Sequence, residues 1–170
     1  MTSGKTTALV SALGLAFAVA SANAVAAREV VPFDGGFTAG TIVIKTGERK
    51  LYYVLGGGQA IRYKVAVGMP GKEWAGQTTI GRMEVDPIWG PPAEVKHDKP
   101  ELPDLVPPGP HNPLGPRAML LSGTEYAIHG TNRRDSIGTR ASYGCIRMYN
   151  EDVVELYDRV SIGTPVVVLR

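Results

Sequence analysis

One cysteine among 170 residues, three histidines and an aromatic fraction of 7% make a short list of what this chain lacks. A single cysteine closes no internal disulfide, so the fold rests on its apolar core alone. Charge is nearly absent as a net quantity: 18 Lys and Arg against 16 Asp and Glu give +2. The basic residues are scattered rather than grouped, which excludes nucleic acid or an acidic membrane surface as a partner read from charge. Long apolar runs are also missing. The longest, Ala8 to Ala20, is shorter than the ~20 residues a spanning helix needs. His97 and His111 have no third ligand at metal spacing, so no metal site is predicted. "SGKTT" at Ser3–Thr7 lacks the upstream glycine of a phosphate loop, because that position precedes Met1.

What is present begins at the N-terminus. Met1 to Lys5 carry one lysine, an apolar run follows, and small residues from Ser21 to Ala26 close it. That order reads as a secretory signal peptide over residues 1–26, cleaved after Ala24 or Ala26. Removing it leaves 144 residues (170 − 26) and takes away only Lys5, so the formal charge falls to +1 (17 − 16). No stable transmembrane segment is expected after processing, and the mature chain has the size of one compact domain. Export would place the lone thiol of Cys145 in an oxidising compartment, where structural cysteines come in pairs. Such a thiol either packs as an inert small hydrophobe or serves as a nucleophile, and its context must decide.

Residues 27–40, with Pro32, Gly35, Gly36 and Gly40, read as a lead-in segment before the domain proper at 41–170. Thr41–Ile44 is a short predicted strand. Leu51–Leu55 and Ile61–Val67 alternate around Gly56-Gly57-Gly58, which predicts a hairpin rather than a phosphate loop, since no helical pattern follows. Thr78–Val85, Met119–Leu121, Tyr126–Ile128 and Val166–Leu169 are further strands. Ten prolines between Asp86 and Pro116 exclude regular helix or inner strand there. That segment reads either as a cover over a site, with Trp89 as an apolar wall, or as a plain surface loop. Asn150 looks like the N-cap of the one main helix, in which Val153, Leu156, Tyr157 and Val160 recur at helical spacing. The predicted fold is mostly β, a sandwich or barrel-like domain with one main helix after Cys145.

His129 ends a predicted strand, and Cys145 follows sixteen positions later with Gly144 before it and Arg147 close behind. An imidazole beside a thiol can take its proton, and a glycine lets backbone N–H groups approach a reacting carbonyl oxygen. The stretch "IHGTNRRDSIGTRASYGCIRM" resembles the signature of the L,D-transpeptidase catalytic domain, the YkuD family: His-Gly, a spacer, then Ser/Thr-His-Gly-Cys. "TIVIKTGERKLYYV" and "VPPGPHNPLGPRAML" resemble that family's opening strands and the segment before its histidine.

The resemblance implies an exported, periplasmic enzyme of cell wall biogenesis and cell shape that acts on peptidoglycan tetrapeptide stems and is a carbapenem target. No cofactor is implied. Cys145 would be the nucleophile and His129 its base. The Gly130 carbonyl would hold the imidazole, and the N–H groups of Gly144 and Cys145 would form much of the oxyanion hole. Ser142 and Tyr143 would be orienting neighbours. Arg147 is read either as a grip on a substrate carboxylate or as a structural ion-pair partner. The thioester would pass to an amine on another stem or on an outer-membrane protein; the "VPPGPHNPLG" and Cys-Ile-Arg stretches resemble the branch that anchors outer-membrane lipoproteins. Hydrolysis of the same thioester, as by an L,D-carboxypeptidase, and a catalytically weak peptidoglycan-binding module are the alternatives. Tyr143 stands where the family usually has His, and a phenol with a pKa near ~10 does not shuttle protons easily.

Overall fold

The computed structural model describes Met1 and residues 28–170, so the expected signal peptide lies outside the described residues. Among the described residues ten strands carry the fold: β1 (Glu29–Pro32), β2 (Ile42–Lys45), β3 (Lys50–Gly56), β4 (Gln59–Gly68), β5 (Gly76–Val85), β6 (Arg117–Leu121), β7 (Ala127–His129), β8 (Arg140–Ser142), β9 (Ile146–Met148) and β10 (Pro165–Leu169). Two short helices, α1 (Ala93–Asp98) and α2 (Asn150–Tyr157), complete it. Strand pairing runs β4-β3-β2-β10-β5-β6-β7-β9, and β9 pairs back to β4. Eight strands therefore close on themselves, which leaves no open edge in that ring. The expected mostly β, barrel-like domain with a main helix after Cys145 is what the chain forms.

The core explains the closure. Ile42, Ile44, Leu51, Tyr63, Val65, Ile80, Met119, Ile128, Ile146 and Met148 point into one buried cluster, which Val153 and Leu156 of α2 also join. Val43, between Ile42 and Ile44, packs on the opposite face with Phe33, Tyr52, Val54 and Ala60. Strand β2 is thus covered on both sides, which is why it reads as an unbroken apolar run. Tyr63 is 1% exposed, and its hydroxyl donates to Glu155 of α2, tying the helix to the barrel. Burial and that carboxylate hold the Tyr63 phenol far above its ordinary pKa.

Three expectations are revised. The lead-in segment contains β1, which pairs antiparallel with β4 from Glu29 to Pro32. The proline-rich segment holds a helix after all, because residues 93–99 are free of proline and leave room for a turn and a half between Pro92 and Pro100. Asn150 is the first residue of α2 rather than its cap. Tyr149 is the N-cap, and the Asn150 carboxamide oxygen instead accepts the Thr131 amide (2.7 Å).

Candidate active site

The site is built where two short strands run side by side. β7 and β9 are parallel, with Ile128 opposite Ile146 and His129 opposite Arg147. Ile128 and Ile146 fill the core, so the alternate positions face outward into a cavity of about 600 Å³. His129, Cys145 and Arg147 all line it. The fifteen residues that separate histidine from cysteine include a 3-10 turn (Arg134–Ser136) and β8, which pairs with the end of β4.

His129 is 4% exposed. Its Nδ1–H donates to the Gly130 carbonyl (2.7 Å), an acceptor only, so the proton belongs on Nδ1 and Nε2 keeps its lone pair. Burial pushes the imidazole pKa down to about 4, with the Arg147 cation adding to the fall and the Gly130 and Pro113 carbonyls opposing it. Burial also pushes the Cys145 thiol up, while the Ala127 amide and Arg147 favour the thiolate. Both shifts favour neutral groups, so the resting pair is a thiol and an imidazole rather than an ion pair. Arg147 is half-buried, and its guanidinium makes no hydrogen bond or ion pair among the described residues.

The loop before Cys145 departs from the expected arrangement in one respect. The Gly144 N–H donates to Ser142 Oγ (3.1 Å), and Ser142 Oγ–H donates to the Cys145 carbonyl (2.5 Å). Gly144 therefore does not offer a free oxyanion donor. Its φ is +123°, and a Cβ there would collide with the Tyr126 ring, so close packing is what requires glycine. Gly130 is constrained in the same way, by the Asn150 carboxamide. Among the described residues the Cys145 N–H donates to no protein group.

Several residues of the site carried no pattern in the sequence. Trp74 stacks on Tyr126 (centroids 5.2 Å apart), and its Nε1–H donates to the Gly144 carbonyl (3.0 Å), clamping the cysteine loop. Asn112, 1% exposed, donates through Nδ2 to the carbonyls of Pro87, Val106 and Pro107 and accepts the Leu114 amide. This one side chain gathers the proline-rich segment into a lid. The lid covers the cavity, with Trp89, Pro92, Val95 and Leu102 among its lining residues. Tyr143 O–H donates to Asp98 at the end of α1 (3.0 Å), and Lys72 pairs with Glu94, so the lid is fastened to the barrel. The ring nitrogen Nδ1 of His97 lies 3.1 Å from its neighbour Asp98, and the His111 carbonyl accepts from Asn132 (2.8 Å).

Comparison with known proteins agrees with this architecture. The family model described as YkuD, L,D-transpeptidase catalytic domain, matches residues 39–168. The probable L,D-transpeptidase YbiS of Escherichia coli is 40% identical over 134 residues, 74% of this chain but 43% of its own length. The chain thus spans under half of that relative. The structure of L,D-transpeptidase 3 from Mycobacterium tuberculosis with a faropenem-derived adduct is similar with a TM-score of 0.57 at 19% identity, covering 76% of this chain and 60% of that one. A structure titled as a probable carnitine operon oxidoreductase from Brucella melitensis is 44% identical, with a TM-score of 0.56, over 84% of this chain and 93% of that one.

Proposed function

The chain belongs to the YkuD family of L,D-transpeptidase catalytic domains, and from that premise we propose that it is a periplasmic cysteine acyltransferase acting on the tetrapeptide stems of peptidoglycan. The observation that carries this reading is the parallel β7–β9 pair, which turns His129 and Cys145 into one cavity with the imidazole held by Gly130. Cys145 is the nucleophile. Its proton passes to His129 Nε2 as Sγ bonds to the carbonyl carbon of the third stem residue. Collapse of that adduct breaks the bond to the terminal D-alanine, whose amine takes the proton from Nε2. An acceptor amine then gives its proton to Nε2, bonds to the carbonyl carbon and frees the thiol.

Burial leaves Nε2 unprotonated at neutral pH, the state in which it can take the Cys145 proton, at a cost in basicity, because a base acts best with a pKa near the working pH. The Cys145 N–H is the donor assigned to the oxyanion, and loss of one such donor typically costs about 2.7–4 kcal/mol of transition-state stabilisation. The free guanidinium of Arg147 takes the carboxylate of the departing residue. The acceptor is an amine of a second stem or of an outer-membrane protein or lipoprotein. Residues 1–26 serve as the export signal. An oxidoreductase reading, as in the name of the Brucella structure, has no support in Gly56-Gly57-Gly58, which joins two antiparallel strands and opens no helix of a dinucleotide-binding turn.

Incubation with a disaccharide-tetrapeptide and a primary amine tests the reading by product mass. The expected product has lost alanine and gained the amine. A product that gained only water would replace transfer with hydrolysis, and no release of alanine would reject both.

A further inference from the structure

The reaction just described leaves one carboxylate of the cavity wall without a task. Glu125 lies in the turn between β6 and β7, is exposed, and lines the cavity. It makes no hydrogen bond or ion pair among the described residues. The other acids around the cavity are occupied: Glu94 is tied to Lys72, and Asp98 accepts from Tyr143. Lys99 of the lid lines the same cavity, and among the described residues it forms no ion pair with Glu125.

Register gives the cavity a direction. His129 is opposite Arg147, so one pair of positions back along both strands Ile128 is opposite Ile146, and one further back Cys145 comes beside Ala127. The influence of the Ala127 amide on the thiol agrees with that placement. His129 and Arg147 therefore mark one end, the thiol stands between, and Glu125, four residues before His129, lies beyond the other end next to Tyr126. Tyr126, His129 and Cys145 line the same cavity as Glu125, so one continuous space joins the two ends.

The chemistry then assigns each part of the substrate to an end. The imidazole returns its proton to the departing amine, so the leaving residue lies toward His129 and Arg147. The acyl residue kept on sulfur extends the other way, toward Glu125. We propose that Glu125 is a specificity-determining residue that selects donor peptides whose third residue carries a side-chain ammonium. This inference rests on the acyl-transfer reading and deepens it.

The test uses two tetrapeptide donors of one sequence, the first with a free amine on the third side chain and the second with that amine acetylated. Acylation of Cys145 is followed by intact mass. The wild type is expected to favour the free amine by about fivefold in KM, as for a solvent-reachable ion pair, with kcat little changed. High salt should shrink that advantage. Glu125→Gln should erase it without slowing the acetylated donor, and Glu125→Lys should invert it. A wild type that takes both donors equally, or a Glu125→Gln variant that keeps the full preference, overturns the inference alone. A wild type acylated by neither donor overturns the acyl-transfer reading and this inference with it.

Discussion

The β3–β4 hairpin and the proline-rich lid belong to one molecule but are held by opposite means. In the hairpin, Leu51 lies opposite Tyr63, both fully buried, and the ladder runs from Lys50 to Gly56 with one irregularity near its end. In the lid, α1 buries no residue at all. Its shape comes from the four hydrogen bonds of Asn112, the backbone pair between Trp89 and Val106, and the links from Lys72 and Tyr143. The hairpin is stabilised by area and fails only with the whole core. The lid is stabilised by a few polar contacts and opens at a cost set by those contacts. The cavity lies between the lid and the β7–β9 side of the barrel, whose core the hairpin shares, so it has one rigid wall and one releasable wall.

Mutations of graded severity break this comparison in order. Met119→Ala, in the barrel core, should cost about 2–5 kcal/mol and lower the melting of every probe together. Separate transitions for hairpin and lid would contradict a single core. Acid comes next and acts at the seam. His129 is held at about 4 when folded against about 6.5 unfolded, so the unfolded chain binds the extra proton between those values. Stability from this group is complete above pH 6.5 and is lost as pH falls toward 4, by roughly 3 kcal/mol. Unfolding curves across that window, compared with those of His129→Asn, should show the loss in the wild type alone.

Asn112→Ala should cost about 1–3 kcal/mol, because it strips a buried amide from three carbonyls. Its effect should be local: hydrogen exchange should quicken across residues 86–116 while β3 and β4 stay protected. Equal quickening in the hairpin would erase the distinction. Tyr143→Phe is the mildest change. It removes only the exposed bond to Asp98, so melting should stay put while amides of α1 exchange faster and donor KM rises. An unchanged KM would mean that this fastening does not shape the cavity.

How far the sequence disclosed these two regions follows from the same contrast. Alternation and a glycine turn exposed the hairpin, and short apolar runs exposed β2, β6, β7 and β10, because burial by area leaves its mark on neighbouring residue types. His129 and Cys145 stood out as rare residue types in a recognisable arrangement. The three-residue strands β8 and β9 are too short to show a period, so the parallel pairing that places the thiol could not be read. Asn112 and Trp74 act through side-chain hydrogen bonds to loop backbone, which no periodic pattern marks. Asn150 carried a misleading signal: its position before an acidic first turn suggested a cap, while its carboxamide is used on the histidine loop.

The central claim is that a thiol just before one short strand and a neutral imidazole at the end of its neighbour act together to accept an acyl group. Intact-mass kinetics with a penem such as faropenem measure that step directly. The wild type should gain one adduct, Cys145→Ala none, and His129→Ala should react at least ~100-fold more slowly at neutral pH, the usual loss for a positioned base. An adduct on Cys145→Ala, or full-rate acylation of His129→Ala, would contradict the account.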